Sequence, residues 1–449
     1  VRFPKYDQYP DLFKEGKFRR IIEIIQSKTS YNAFEQVLLA FSYSCIGDER
    51  ISKKHLPNNL VEDDFDTTIE FIYAQLMNIE ISINFKQFID FDDMIKQIEP
   101  DIKTVSDPEL QNYLYVNLHL LKAEYLISRS YEDKAIRQLD KISNKVSKSE
   151  FPIIYARIMH SYGFANRLKG RYGVSKDYYD KALIIRNSIN NKFERAKTLN
   201  HLGILFAMLN KIDQAMKYFN QILDMEDELD NELVKAKVLN NLAIIYQMKG
   251  NLNKSIRLTK KSIMISKDIH NFENMQKCYI TLGNIQQNQN NLAEALSSFR
   301  NAYSQNININ DNRTLSQILY SIGTVHNKIG HLKQSEYYYD KALAISHQIQ
   351  DPLMISKILN NLAVLHNIQG KVDQAIIEFK EVLKISSRLD DRHTEASVLT
   401  NLGLAYTKKN EYKKAIQFYE QSYKIKEKLQ NYNSIATTLF HLIQTEIDY

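Results

Sequence analysis

Glycine and proline are scarce, 12 and 7 residues in a chain of 449. That excludes the many tight turns of a large β or α/β protein. Cysteine is scarcer still. Cys45 and Cys278 lie far apart with neither CxxC nor metal-ligand spacing, which excludes a disulfide framework and predicts reduced core thiols in a cytoplasmic protein. No apolar run reaches the length of a membrane span, and the opening VRFPKYDQYP lacks the basic and apolar regions of a signal peptide. The formal net charge of +6 is small for this length, well short of the basic balance of most nucleic-acid binders. There is no GxxxxGK[ST] phosphate loop, GxSxG elbow or HExxH pair, so no catalytic residue, cofactor or metal is predicted. The chain begins at Val1 rather than Met, and a piece of a longer protein, with an output domain outside it, is the expectation.

What is present is a repeat. At a shift of 40 residues, small side chains fall in register at Gly163, Gly203, Ala243, Gly283, Gly323, Ala363 and Gly403. Seven residues after each stands a turn former, Gly170, Asn210, Gly250, Asn290, Gly330, Gly370 and Asn410, as at a helix C-terminus entering a tight turn. A second small residue follows at Ser175, Ala215, Ser255, Ala295, Ser335, Ala375 and Ala415. A third landmark, Asn191, Asn231, Asn271, Asp311, Asp351, Asp391 and Asn431, suits the cap of the next helix. Apolar residues at helical spacing, such as Leu199, Leu202, Phe206 and Leu209, make the helices amphipathic. Each repeat therefore reads helix, turn, helix, cap. Gly or Ala facing Ser or Ala would let the two helices approach closely.

These stretches, for example NNLAIIYQMKGNLNKSI and NLGLAYTKKNEYKKAIQFY, resemble tetratricopeptide repeats, with aromatics at Phe219, Phe299, Tyr339, Phe379 and Tyr419. The period of 40 departs from the usual 34 and is similar to that of kinesin light chain. The resemblance implies an all-α superhelical solenoid of about ten helical hairpins. Ala123, Ser130 and Ala135 hold the register one repeat further back. The expected division is residues 1–110, divergent hairpins or a cap, and residues 111–449, a regular array of about eight repeats. Lys53 to Asp66 reads as a loop, and Val1 to Asp66 as a cap or a surface for self-association.

In such arrays the first helix of each repeat lines the inner face, an assignment that the resemblance implies. Offsets of minus six, minus three, minus two, plus one, plus four and plus five from the Gly/Ala landmark share one stripe of that helix. None of these positions in seven repeats is Asp or Glu, where chance would place about five of the 53 acids. The candidate peptide-binding residues are Arg157, Lys197, Asn200, His201, Lys237, Asn240, Asn241, Lys277, Asn284, Asn327, Lys357, Asn360, Asn361 and Asn401. Amides can hold a peptide backbone through both donors and acceptors, and lysines one per repeat attract acidic side chains or a terminal carboxylate. The bland alternative is a solvated helix face with exposed ion pairs. His326 and His366 take the offset of Phe206 and Tyr246 and read as packed residues.

Three functions compete. The first is a non-catalytic scaffold or adaptor holding an acidic peptide or protein tail. The second is the peptide-sensing arm of a larger signalling protein. The third, nucleic-acid binding, is disfavoured because the stripe offers few aromatics, essentially Phe164 and Tyr320, for stacking bases.

Overall fold

The computed structural model describes residues 12, 17–57, 59–85, 90–129, 131–225, 229, 231–309, 311–429 and 432–448. Ser130 and Asn431 lie outside them. No strand occurs among the described residues, and none of their helices is long and apolar enough to cross a membrane. The chain forms two compact units, residues 1–281 and 282–449.

The first unit opens with α1 (Phe18–Gln26), α2 (Ala33–Ile46), α3 (Glu49–His55), α4 (Thr68–Asn84) and α5 (Phe91–Thr104). Helix thus continues through Lys53 to His55, and the irregular stretch expected there covers the described residues 56–57 and 59–67, apart from one short 3-10 turn. Hairpins follow as α6 (Pro108–Ser128) with α7 (Glu132–Ser143), α8 (Pro152–Leu168) with α9 (Tyr172–Ser188), α10 (Lys192–Met208) with α11 (Ile212–Leu223), and α12 (Glu232–Met248) with α13 (Leu252–Asp268). Helix α14 (Phe272–Asn288) carries the unit boundary within it. The second unit continues with α15 (Leu292–Ile309), α16 (Asn312–Ile329), α17 (Leu332–Gln348), α18 (Pro352–Ile368), α19 (Val372–Arg388), α20 (Arg392–Lys408), α21 (Tyr412–Lys428) and α22 (Tyr432–Asp448).

The landmarks have local causes. All seven turn formers adopt left-handed backbone, from Asn210 at φ 56° to Gly330 at φ 90°, the conformation that only Gly and Asn take cheaply. The described third-landmark residues all cap, as when Asn191 accepts from Glu194 N at 3.1 Å and Asp351 from Met354 N at 3.1 Å. At the hairpin contact the expected small-on-small approach is present, and an aromatic ring packs there as well. A Cβ on Gly203 would stand 2.6 Å from the Phe219 ring, and one on Gly283 2.7 Å from Phe299. Glycine makes room for an aromatic ring sixteen residues on. Where the landmark is Ala243, the residue sixteen on is the slimmer Thr259, whereas Ala363 keeps a ring, Phe379, at that spacing. The second small residue closes the hairpin from behind, Ser175 donating to Gly163 O at 2.8 Å and Ser255 to Ala243 O at 2.6 Å.

The same pattern recurs outside the 40-residue register. Ala40, Gly47 at φ 89° and Ser52, which donates to Ala40 O at 2.8 Å, repeat the spacing of seven and twelve. Helices α2 and α3 therefore form a hairpin of the same design. Both cysteines are free and buried, and His326 and His366 are packed inside.

Candidate functional site: a cavity closed by the N-terminal helices

Two capping asparagines fasten the N-terminal helices to the repeats of the first unit. Asn231 accepts from Val234 N at 3.1 Å, and its amide donates to Cys45 O at 3.3 Å. Asn271 accepts from Asn274 N at 2.8 Å and donates to Gly47 O at 3.1 Å. Gly47 lies so close that a Cβ there would meet Leu233 Cδ2 at 2.9 Å. Phe18 packs edge-on against Phe193, ring centroids 4.8 Å apart. The end of α2 is thereby held over the first helices of the repeats.

Beneath it lies a cavity of about 500 Å³. Five candidate residues, Lys197, Asn200, His201, Lys237 and Lys277, converge on its wall. The opposite wall includes Ser44, Cys45, Ile83, Asn84 and Phe85, with Asn84 donating to Ser44 Oγ at 2.9 Å. Phe164, Phe193 and Leu233 give it an apolar side. Polar and charged groups thus face hydrocarbon across a space of ligand size.

The charges are not free of acids. Lys197 bonds Glu194 at 2.7 Å and lies over the Phe193 ring at 4.4 Å; Lys277 bonds Glu273 at 2.7 Å. Burial would raise the Glu194 pKa, but Lys197 and Arg186 outweigh it and hold the carboxyl down to about 2. Burial lowers His160 and His201 well below the ordinary imidazole value, and the neighbouring Arg186 and Arg167 respectively add to this. Both rings are therefore neutral hydrogen-bonding groups near pH 7.

Arg157 requires correction. It lines an adjoining cavity with Lys197 and His201, but it donates to Glu124 at 2.8 and 2.5 Å and to Glu80 at 3.2 Å, so it stands there within a partly buried ion cluster and not as a cation apart from acids. Burial alone would lower its pKa, yet Glu124 and Glu80 hold it well above the usual value. The acid-free stripe ends one repeat upstream, because Glu124 occupies the plus-one offset from Ala123. Asn240 is buried and off the cavity wall.

Other amides tie consecutive repeats together. Asn241 donates to Asn200 Oδ1 at 2.7 Å, Asn401 to Asn360 Oδ1 at 3.3 Å, and Asn361 to Tyr320 Oη at 2.9 Å. In the second unit Lys357 is exposed, while Asn284 and Asn327 are half-buried on their first helices. The sequence reading missed Ser44, Cys45, Ile83, Asn84 and Phe85. The stretch VLLAFSYSCIGD reads as a divergent hairpin half, which covers Ser44 and Cys45, but no periodicity says where that hairpin or the end of α4 docks.

Residues 155–228 and 354–428 match the tetratricopeptide repeat family. No curated protein matches the chain in sequence. Among solved structures, the fold is similar to the apo quorum sensor NprR from B. thuringiensis, at 14% identity, covering 80% of this chain and 99% of that one, TM-score 0.55. It is also similar to the Rap conjugation gene regulator of plasmid pLS20 in complex with the Phr* peptide, at 16% identity, with 81% and 97% covered, TM-score 0.52. A third likeness is aspartyl phosphate phosphatase F from Bacillus subtilis, at 13% identity, 81% and 95% covered, TM-score 0.51. With helix hairpins repeating every 40 residues around Gly–aromatic contacts, and two stretches matching the family, the chain is a tetratricopeptide-repeat protein.

Proposed function

We propose that this protein is a non-catalytic peptide-binding scaffold whose first unit takes an acidic peptide or protein tail in the cavity under α2. The observation that carries this reading is the convergence of Lys197, Lys237 and Lys277, one from each of three repeats, with Asn200 and His201 on one wall. Lysine ammonium groups attract a carboxylate, the amide meets a peptide backbone, and the apolar side accepts a side chain. The Phr* peptide bound by a protein of similar fold agrees with this chemistry.

The sensing-arm reading has its own support. Residues from α2 and the end of α4 build one wall of the cavity, so a ligand touching both walls has differential contacts with the docked and undocked N-terminal helices. The similarity of fold to a quorum sensor agrees with it.

The test is fluorescence anisotropy with a pool of labelled acidic pentapeptides carrying free C-termini, on wild type and the K237E/K277E variant. Charge reversal is expected to weaken binding at least tenfold, about 1.4 kcal/mol. The melting temperature should move only by about a few degrees, since exposed ion pairs contribute roughly 0–1 kcal/mol. Equal affinity in both proteins, or no binding by wild type, sinks the reading.

A further inference from the structure

A second cavity of the first unit lies on the other side of the hairpins, between α9 and α11, with a volume of about 780 Å³. The repeat pattern explains why it is open. Thirteen residues after each landmark, the second helix carries Met216, Ile256, Leu296, Ile376 and Ile416, apolar side chains at least half-buried between hairpins. The repeat of Gly163 has Lys176 there instead, bonded to Asp180 one turn on at 2.6 Å. Three residues before it, Gly173 presents no Cβ, and one built there would meet nothing within 4 Å. This repeat thus lacks both the apolar side chain and a Cβ at these two positions of the groove.

The lining is of one charge sign. Lys176, Arg195, Lys211 and Lys217 contribute four cations, and no carboxylate is among the lining residues. The floor is flat and apolar: Phe206 and Tyr218 stack with ring centroids 5.3 Å apart at 21°, and Tyr172 and Leu199 lie beside them. The register-equivalent groove of the second unit, between α17 and α19, is occupied differently. There Glu336 replaces Lys176, His366 replaces Phe206 and Glu378 replaces Tyr218, and His366 bonds Glu378 at 2.8 Å and Glu336 at 3.2 Å. The place is satisfied internally in one unit and left cationic and open in the other.

We infer that the cavity between α9 and α11 is a binding site for a small molecule carrying an anionic group on a flat apolar body. The rings take the flat body by stacking. The cations take the anion, with two of the three Lys176 N–H donors still available beyond its bond to Asp180. This site is separate from the cavity under α2 and does not depend on the peptide reading.

The experiment is a fluorescence titration with 8-anilinonaphthalene-1-sulfonate, and with neutral 1-anilinonaphthalene as its uncharged counterpart, on wild type, K176L and R195Q/K217Q. K176L installs the apolar residue type of the other repeats and removes the cation nearest the gap, and should weaken sulfonate binding at least tenfold. R195Q/K217Q leaves the space but removes charge. It should weaken the sulfonate about fivefold or more while leaving the neutral probe within about twofold. Should K176L fail to fold by circular dichroism, the double variant decides alone. Identical sulfonate curves for wild type and the folded variants overturn the inference, as does equal loss of both probes in R195Q/K217Q.

Discussion

Arg186 and Lys426 hold the same place in the repeat, six repeats apart, one in each unit. Both are buried at the end of a second helix, and their surroundings correspond residue for residue. Arg186 donates to Glu194 Oε2 at 2.7 Å, to Glu194 O at 2.8 Å and to Thr198 Oγ1, and lies 3.1 Å from His160 Nδ1. Lys426 donates to Thr438 Oγ1 at 2.7 Å, Thr400 Oγ1 at 2.9 Å and Ser434 O at 3.4 Å. Thr400 stands where His160 does, Ser434 where Glu194 does. The first unit neutralises its buried cation with a carboxylate; the second solvates one with hydroxyls and a carbonyl. A repeat array thus keeps its backbone pattern while each interface chooses its own polar chemistry.

The sharpest way to break that contrast is Arg186→Met. It strips Glu194 of one of its two cations while Lys197 remains, and urea denaturation should show a loss of about 2–3 kcal/mol. Hydrogen exchange should place that loss in α9 and α10. Glu336→Gln comes next, with an expected cost of about 1 kcal/mol, at the lower end for hydrogen bonds to a charged, partly exposed group. Its hydrogen bond from Gln369, reinforced by those from Lys371 and His366, holds the Glu336 carboxyl down to about 2 against an ordinary 4.5. Its stabilisation is therefore complete above pH 4.5 and disappears as pH falls toward 2. The variant's stability curve should be flatter than wild type in that window, and equal slopes would remove the role given to Glu336. Lys426→Met should change least, within about 1 kcal/mol at neutral pH, because hydrocarbon replaces a charge whose desolvation cost no carboxylate offsets, and leaves no charge unpaired. Burial lowers the Lys426 pKa, so the unfolded chain keeps its proton to higher pH than the folded one. Wild-type stability gains as pH rises from the lowered folded value toward 10.5. The methionine variant should lack that alkaline gain.

The repeats were legible because their constraints are local. The first turn of each repeat favours Gly or Asn, an N-cap favours Asn or Asp, and a ring packed across a hairpin favours Gly or Ala opposite it; each leaves a residue type at a fixed spacing. The second set of left-handed positions was not legible, since His270, Gln350 and Asp390 adopt φ of 50°, 54° and 53° without a shared residue type. The basic stripe was legible as a pattern but not in its electrostatics. Glu124 holds the plus-one offset one repeat upstream of the seven, Glu80 lies in α4, and Glu194 and Glu273 stand in the first helical turns outside the chosen offsets. The closure of the cavity by α2 was invisible because its hydrogen bonds span 186 and 224 residues, and no period connects such distant positions.

Those two spans also set a timetable for synthesis. The carbonyls of Cys45 and Gly47 leave the ribosome long before the asparagines that bind them, and Asn271 trails Gly47 by 224 residues. At common rates of chain elongation that interval is roughly 10–45 s. During it α2 and α3 have no finished surface to close upon, so they are made well before the repeats they cap and are among the last of their unit to settle.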